Sequence, residues 1–279
     1  MTSHPSASPV GRARWFYAIV AIVVVAGMGL VTVNVWLAAA LVREQRSNSR
    51  EHDFWMLCQP GSTATEREGA FRRLVAVHNT EWRSADLRNL NLTRAVMSAA
   101  DLQFAVFVRA NLAGAQFDGA KLCATSFELA DLTGAQFNQA NLKEARLLQA
   151  SAKGASFRRA DLAASLCEQV DAENGDFLAA NLSDANCLMA NFTGAKLMGA
   201  NFSGAKLESA MLKHADLALA RLDGADLTDA DFTDANWWRA RGLTMKQIDL
   251  LKKKFPPAET APAALKEDYA RWVGESADR

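Results

Sequence analysis

Apolar side chains recur every five residues along more than half of the chain, which fits neither of the common secondary structures. From Ala85 onward, a small residue stands at nearly every multiple of five, and in most units a large apolar residue follows two positions later. Alanine fills the first position in 26 of 31 consecutive units starting between residues 85 and 235, and Leu or Phe fills the third in 25. Apolar residues recur about every 3.6 positions in an amphipathic helix and every second position in a half-buried strand. A period of five therefore predicts a chain that turns a corner in every unit, with its first and third residues facing inward.

The units resemble the A(D/N)LXX repeats of the pentapeptide-repeat family. Ala-Asp-Leu stands at 85–87 and 100–102, and Ala-Asn-Leu at 110–112 and 140–142. The resemblance covers about 85–241 without an insertion. It implies an all-β solenoid, a right-handed quadrilateral β-helix in which four consecutive units make one square coil. The 31 units would then make about eight coils, with the first and third residues of each unit in the core.

The segment before the repeats is predicted to form an N-terminal capping helix over residues 65–84. Thr65-Glu66-Arg67-Glu68 has the spacing of a capping box, and Phe71 and Leu74 follow on one helical face. Such a helix would cover the first coil, because stacked repeats need a cap at each end.

The segment after the repeats is predicted to form a C-terminal capping helix over residues 242–255. Thr244 and Gln247 have the spacing of a second capping box. Pro256 and Pro257 would stop this helix. Residues 256–279 are then predicted to be a tail with a short helix, with Leu265, Tyr269 and Trp272 on one face.

An uncharged stretch from Trp15 to Val42 predicts one transmembrane helix, preceded by a tail (1–14) and followed by a linker (43–64). At 1.5 Å per residue its helix is about 42 Å long, which exceeds a hydrocarbon core of about 30 Å. The alternative is a cleaved signal peptide, with a cleavage site near Ala38–Ala40. Signal peptides have apolar regions of only about 7–15 residues, which favours the uncleaved anchor.

The expected membrane is a bacterial inner membrane, but the side on which the repeats lie is not fixed by charge. Lys and Arg near the two ends of the segment are nearly equal in number, and only the acid-free N-terminal tail favours the repeats outside the cytoplasm. The unpaired cysteines favour the reducing side instead.

Composition excludes several classes of protein. The chain has 31 basic and 31 acidic residues, so neither a globally basic nucleic-acid binder nor a globally acidic nucleic-acid mimic is expected. The cysteines stand at 58, 123, 167 and 187, without a CxxC pair, which excludes a disulfide-dense scaffold and a zinc or redox motif of that type.

A search for chemistry-bearing residues predicts no catalytic, cofactor-binding or metal site. His52 and Cys58 are too few for a zinc site, and His214 takes an outward repeat position. Cys167 and Cys187 take the same position one predicted coil apart, and they should stack as small core residues rather than as a redox couple.

Charges on the predicted outer surface are uneven. Residues 85–241 hold 19 acidic and 15 basic residues, net −4. The sequence suggests a basic mid-rod cluster and an acidic cluster near the end, which are either an ordinary solvated surface or a docking surface for a protein. The basic cluster comprises Lys143, Arg146, Lys153, Arg158 and Arg159, and the acidic one Asp223, Asp226, Asp229, Asp231 and Asp234.

The function expected from these features is that of a non-enzymatic, membrane-anchored scaffold that binds an unidentified partner protein and no nucleic acid. The alternative comes from the resemblance, because some pentapeptide-repeat proteins mimic DNA and bind type II topoisomerases such as gyrase. The small net charge of the repeats, the basic mid-rod cluster and the membrane segment (15–42) favour the scaffold.

The middle of the repeats, about residues 150–178, is predicted to be the least stable part. Ala152 and Ala172 replace large residues on one face, and no bulky residue opposite compensates for them. Cys167 and Cys187 do face bulky partners. A methyl-sized void costs about 1 kcal/mol, so this segment should open first.

Overall fold

A fixed set of backbone hydrogen bonds produces the five-residue period. In each unit the second residue donates to the first residue of the preceding coil, as Asn111 does to the Leu90 carbonyl at 2.9 Å. The third residue donates to the second residue of the following coil, as Leu112 does to Asp131 at 2.7 Å. The fifth residue donates to the fourth residue of the following coil. The first residue of the next unit then donates back to the third-residue carbonyl of the unit before it, which closes the turn at the corner. Each unit is therefore tied to the coils on both sides.

Parallel bridges join units to the fourth unit after them along the rod, from Asp86–Val106 to Arg221–Arg241, with one interruption between Asp216 and Asn236. Four units thus make one coil, and the predicted four-sided β-solenoid is confirmed. We name its sides by the units they contain. Face I holds the units that begin at 85, 105 and every twentieth residue after, and faces II, III and IV begin at 90, 95 and 100 in the same way.

The computed structural model describes residues 52–53, 56–57, 63–76 and 82–277. The predicted membrane segment 15–42 and the tail 1–14 lie outside the described residues. Among the helices that are described, none has the length and apolar composition needed to cross a bilayer.

The corners explain the polar residues of the repeat. The second-position side chain accepts a hydrogen bond from the fourth-position N–H, as Asp131 Oδ1 does from Thr133 N at 3.0 Å. The fifth residue has a positive φ in unit after unit, and eight of these positions hold glycine, which adopts that conformation without steric cost. Asp or Asn in the second position therefore satisfies the fourth-position N–H, which has no partner in the hydrogen bonds between coils.

Phenylalanine rings stack along face III and fill the core. The rings of Phe117, Phe137, Phe157 and Phe177 follow one another at centroid distances of 4.8 Å, nearly parallel. This distance equals the spacing of paired strands, about 4.8 Å, so each ring lies directly over the next. The stack makes the core continuous from coil to coil.

The N-terminal cap is helix α1 (Ala64–Ala76), which begins earlier than predicted and ends well before residue 84. Its capping box is formed by Thr63 and Glu66, not by Thr65 and Glu68: Glu66 N donates to Thr63 Oγ1 at 3.3 Å and Thr63 N to Glu66 Oε2 at 2.8 Å. Both pairs have the required spacing, but Glu68 instead accepts hydrogen bonds from Arg72.

Two corrections concern the residues on either side of α1. Trp82 already has the hydrogen bonds of a third position, donating to the Asp101 carbonyl at 2.7 Å, so the coil begins before residue 85. The predicted linker 43–64 contributes to the cap. The side chain of Leu57 is fully buried and its carbonyl accepts from Asp86 N at 2.7 Å. A backbone donor at the open end of the first coil is thereby satisfied.

The C-terminal cap contains helices α2 (Met245–Lys254) and α3 (Ala263–Ala277) and a 3-10 turn (Trp237–Arg239). The capping box predicted at Thr244 and Gln247 is confirmed in α2. The short helix predicted within residues 256–279 is α3. The three residues predicted to share one face of this helix are partly buried and pack against the core: Leu265, Tyr269 and Trp272.

A cavity of about 10 Å³ lies in the core where the alanines interrupt the large apolar residues. Its lining includes Ala152 and Ala172 on face II, together with Val170 and Phe177. The predicted void is therefore present, although it is no larger than a water molecule needs. The lower stability of this segment stays a prediction.

Candidate interaction surface

Charged side chains on the outside of the coils pair in a regular way. A fourth-position residue meets the second-position residue of the same face in the following coil. Lys143 lies 3.2 Å from Asp161, and Arg158 lies 2.9 Å from Asp176. Lysine and arginine side chains are thus neutralised by the next coil wherever this pairing occurs.

The predicted basic mid-rod cluster is wrong as a patch. Its members lie on all four faces, because consecutive units point in different directions: Lys143 on IV, Arg146 on I, Lys153 on II, and Arg158 and Arg159 on III. Four of them make ion pairs with acidic side chains: Lys143, Arg146, Lys153 and Arg158.

The predicted acidic cluster is likewise spread over three faces, with Asp223 on IV, Asp226 and Asp229 on I, and Asp231 and Asp234 on II. Four of its carboxylates already have partners, and one of them is Asp226, whose Oδ1 accepts from Thr228 N at 3.0 Å. Asp231 lies 3.2 Å from Lys213, Asp223 lies 3.2 Å from Arg221, and Asp234 Oδ1 accepts from Ala258 N at 2.9 Å. Neither cluster forms a single-sign surface.

A continuous apolar stripe runs along one corner of the rod, at the end of face III. It occupies the fourth and fifth positions of three successive units of that face. Met198 is 41% exposed and Leu219 is 52% exposed, so these side chains point into solvent. We call this set the corner stripe. Its members are Leu178, Ala179, Met198, Gly199, Ala218 and Leu219.

The other corners lack such continuity. On face I, Leu148 and Leu188 in the fourth position alternate with Glu128, Glu168 and Glu208 in the adjoining coils. Single exposed apolar residues are normal on a protein surface, whereas a contiguous set marks an interaction site. The corner stripe is therefore the candidate functional site of the described residues.

The chain's own helix α3 covers the position that follows the stripe. Trp238 is the fourth residue of the next unit of face III, where the chain forms the 3-10 turn. Its ring contacts Tyr269 at a centroid distance of 4.8 Å. The indole Nε1 donates to Asp268 Oδ2 at 2.8 Å, and Arg239 Nε donates to the same carboxylate at 2.8 Å. The hydrogen bonds from Arg239 lower the pKa of Asp268 to about 2. Helix α3 thus combines apolar contact with a partly buried ion pair.

The residues considered for chemistry in the sequence do not assemble into a site. His52 and His214 are exposed, Cys58 lies outside the described residues, and Cys167 and Cys187 are buried. The neighbouring Cys167 thiol and burial raise the pKa of Cys187, so that thiol stays protonated. The part of the chain that is described contains no group of three or more potential metal ligands.

The corner stripe itself was missed in the sequence, although its signal is present there. Leu178-Ala179, Met198-Gly199 and Ala218-Leu219 follow one another at intervals of one coil, and each pair occupies the two outward positions before a corner. Writing the sequence with one coil to a row places these pairs beneath one another.

Comparison with protein families matches the repeats over more than half of the chain. The family model described as Pentapeptide repeats matches in eight copies, over residues 78–112, 91–128, 130–165, 160–199 and 200–236. The first match begins before residue 85, in agreement with the position of Trp82. No curated protein is significantly similar to the chain.

Solved structures similar to the chain come from proteins of different roles. Trypsin-treated QnrB1, a plasmid-mediated fluoroquinolone resistance protein, is 20% identical, with 61% of this chain and 89% of that chain covered and a TM-score of 0.48. HetL, involved in heterocyst differentiation regulation in Nostoc sp. strain PCC 7120, is 28% identical, with 62% and 95% covered and a TM-score of 0.32. A pentapeptide repeat protein of the Arabidopsis thaliana thylakoid lumen is 25% identical, with 43% and 82% covered and a TM-score of 0.38.

Proposed function

Because the chain belongs to the pentapeptide-repeat family, we propose that it is a non-enzymatic, membrane-anchored scaffold that binds a partner protein through the corner stripe. One observation carries this proposal: Met198 and Leu219 are exposed in a contiguous apolar set, on a surface where charges elsewhere pair across coils. Solvent-exposed apolar patches are costly unless a partner covers them.

The rod is suited to such a role because its binding surface is rigid. Side chains in the second, fourth and fifth positions are held by a backbone whose N–H groups bond to both adjoining coils. A preorganised surface loses little conformational entropy on binding. The proposed partner therefore meets a surface that is already in its bound form.

Membrane attachment is the second part of the proposal and rests on the uncharged segment 15–42. Full-length chain should stay in the membrane pellet through carbonate extraction, and a truncated chain that begins at Arg43 should be released. Recovery of a mature chain that begins near Leu41 would show a cleaved signal peptide instead.

Photo-crosslinking in intact cells tests partner binding. A benzophenone amino acid at position 198 should give a discrete adduct with one protein. The matched control is position 211 on face II, where Met211 is 39% exposed against 41% for Met198. Absence of adducts at position 198, or the same adducts at both positions, would contradict the scaffold.

The alternative function, modulation of a topoisomerase by DNA mimicry, has less support. A DNA mimic presents acidic side chains without nearby cations, whereas Asp161, Asp176 and Asp231 are each paired with Lys or Arg. The chain should not inhibit gyrase supercoiling at stoichiometric concentration. Potent inhibition would reverse the ranking of the two functions.

A further inference from the structure

We infer that the corner stripe binds an amphipathic α-helix of the partner protein, with an acidic residue of that helix placed beside Arg159. This inference rests on the proposed scaffold function and specifies the shape and charge of what is bound. It follows from three features of the described residues: the spacing of the coils, the docking of α3 and the charges around the stripe.

The first feature is a match between two periods. Successive coils are about 4.8 Å apart, and one helical turn rises about 5.4 Å. A helix that runs along the rod therefore places one turn beside each coil of the stripe. Apolar residues at i, i+4 and i+7 of that helix would contact Leu178, Met198 and Leu219 in succession.

The second feature is that this chain already places a helix against the same column. Leu219 N donates to the Arg239 carbonyl at 3.0 Å, one residue later than in the regular ladder, which places the 3-10 turn that contains Trp238 beside the end of the stripe. Helix α3 contacts Trp238 through Tyr269, and Tyr269 belongs to an i, i+4, i+7 apolar set with Leu265 and Trp272. The stripe therefore continues an interface that a helix forms in the folded chain.

The third feature is charge. Arg158 and Arg159 stand one coil before the stripe, and Arg158 is paired with Asp176 at 2.9 Å. At the opposite end Arg239 is held by Asp268. Arg159 and Arg239 are both the fifth residue of a unit on face III, although Arg159 stands at a left-handed corner and Arg239 in the 3-10 turn. An acidic residue of the bound helix would pair with Arg159 as Asp268 pairs with Arg239.

A strand or a lipid surface fits the stripe less well than a helix. Added strands need free backbone donors, but the fifth-position N–H groups of Ala179, Gly199 and Leu219 already donate to the following coil. A helix satisfies its own backbone. Binding to anionic lipid takes a cluster of about 4–8 Lys or Arg, whereas Arg158 beside the stripe is already paired with Asp176.

The test uses the full-length chain in detergent and a fluorescein-labelled peptide with the sequence of residues 259–277, which carries the apolar set and acid of α3. Fluorescence anisotropy should show saturable binding. Met198→Asp and Leu219→Asp should each weaken binding at least about 10-fold, because each places a charge in an apolar contact. Met211→Asp, the matched control on face II, should change affinity less than about 2-fold.

Charge exchange gives the second readout. A peptide with lysine in place of its aspartate should bind at least about 10-fold more weakly, and Arg159→Glu should restore its binding. No saturable binding up to about 1 mM would overturn the inference. Binding that is insensitive to Met198→Asp and Leu219→Asp would also overturn it, since the peptide would then be replacing α3. A discrete crosslink at position 198 without peptide binding would support the proposed scaffold function. It would contradict the inference that the stripe binds a helix.

Discussion

Arg67 in helix α1 and Asp86 in the first coil form an ion pair that fastens the N-terminal cap to the rod. Arg67 Nη1 lies 2.7 Å from Asp86 Oδ1, and the two side chains are only 9% and 12% exposed. Arg88 also donates two hydrogen bonds to Asp86. Burial alone would raise the pKa of Asp86, but the hydrogen bonds from Arg88 and the charge of Arg67 lower it. The carboxylate therefore stays ionised at the junction of cap and coil.

We expect Arg67→Ala to destabilise the cap by about 2–4 kcal/mol, because a buried charge pair loses one partner while Arg88 still neutralises Asp86 in part. The measurement is urea unfolding combined with hydrogen exchange of residues 85–95. Arg72→Ala is the control in the same helix, since Arg72 is 73% exposed and its pair with Glu68 is an ordinary surface one. Equal losses in the two variants would show that the pair does not hold the cap.

The C-terminal cap should loosen in acid through Asp268. The pKa of this residue is lowered from 3.8 to about 2, chiefly by its hydrogen bonds from Arg239. A lowered pKa adds stability at pH values above 3.8, and this contribution is lost as the pH falls through 2. Tryptophan fluorescence should therefore report release of α3 between about pH 4 and pH 2.

Asp268→Asn should remove most of this acid-induced change and cost about 1–2 kcal/mol at pH 7. Glu267→Gln is the control, because among the described residues Glu267 makes no ion pair. A fluorescence transition that is unchanged in Asp268→Asn would contradict the assignment.

The left-handed corners predict which surface substitutions stabilise the rod. Leu129 is exposed with φ at 58°, a conformation unfavourable for a residue with a Cβ. Leu129→Gly should stabilise by about 0.5–1 kcal/mol. Gly134→Ala should destabilise by about 1 kcal/mol through its φ of 64° alone, since no atom lies within 4 Å of the added Cβ. Thermal unfolding measures both, and a loss of stability in Leu129→Gly would contradict the reasoning.

The volume of the cavity in the middle of the rod limits the size of the side chain that can replace Ala172. At about 10 Å³ it accommodates one additional heavy atom, so Ala172→Cys should be neutral. Ala172→Leu adds three carbons and should cost about 1–3 kcal/mol through overpacking. Hydrogen exchange should also open residues 150–178 before residues 105–140. Uniform exchange together with a stabilising Ala172→Leu would refute this account.

Gly175 provides a second test of how large a side chain the middle of the rod accepts, because it occupies a first position, where most units have alanine. A Cβ added there would lie 2.7 Å from Phe177 Cε2. Gly175→Ala restores the usual residue and should nevertheless destabilise by about 1–3 kcal/mol. The control is the reverse change at an ordinary first position, Ala195→Gly, whose loss of stability would come from its buried methyl group and from the unfolded chain. A stabilising Gly175→Ala would show that Phe177 moves aside freely.

The sequence was sufficient for the coil because a single rule, the unbroken period of five, fixes both the inward residues and the partner unit in the next coil. It also sufficed for the capping box at Thr244, where no competing pair stands nearby. At the other end two Thr–Glu pairs have the same spacing, and contacts distant in sequence decide between them. Arg67 must reach Asp86, and that requirement cannot be read from residues 63–68 alone.

Contacts that form only after folding also explain why the surface sites were not predicted from the sequence. Lys143 to Arg159 are neighbours along the chain, yet each five-residue turn rotates the next unit to another face, so the cluster disperses. The corner stripe has the opposite property, because its members are a full coil apart along the chain and become neighbours only after the coils stack. The role of Leu57 was hidden for a third reason: a residue that covers the open end of a solenoid carries no repeat of its own.

The ladder of bonds between adjoining coils also determines how the rod responds to force. These bonds run along the axis in series, so tension applied between the two ends acts equally on every coil, and the coil with the weakest contacts opens first. Each coil that opens releases its four units, which extend to about 65–70 Å. The rod should therefore lengthen in equal steps of about 6 nm under steady tension, with a weaker step for the coil that contains Ala172.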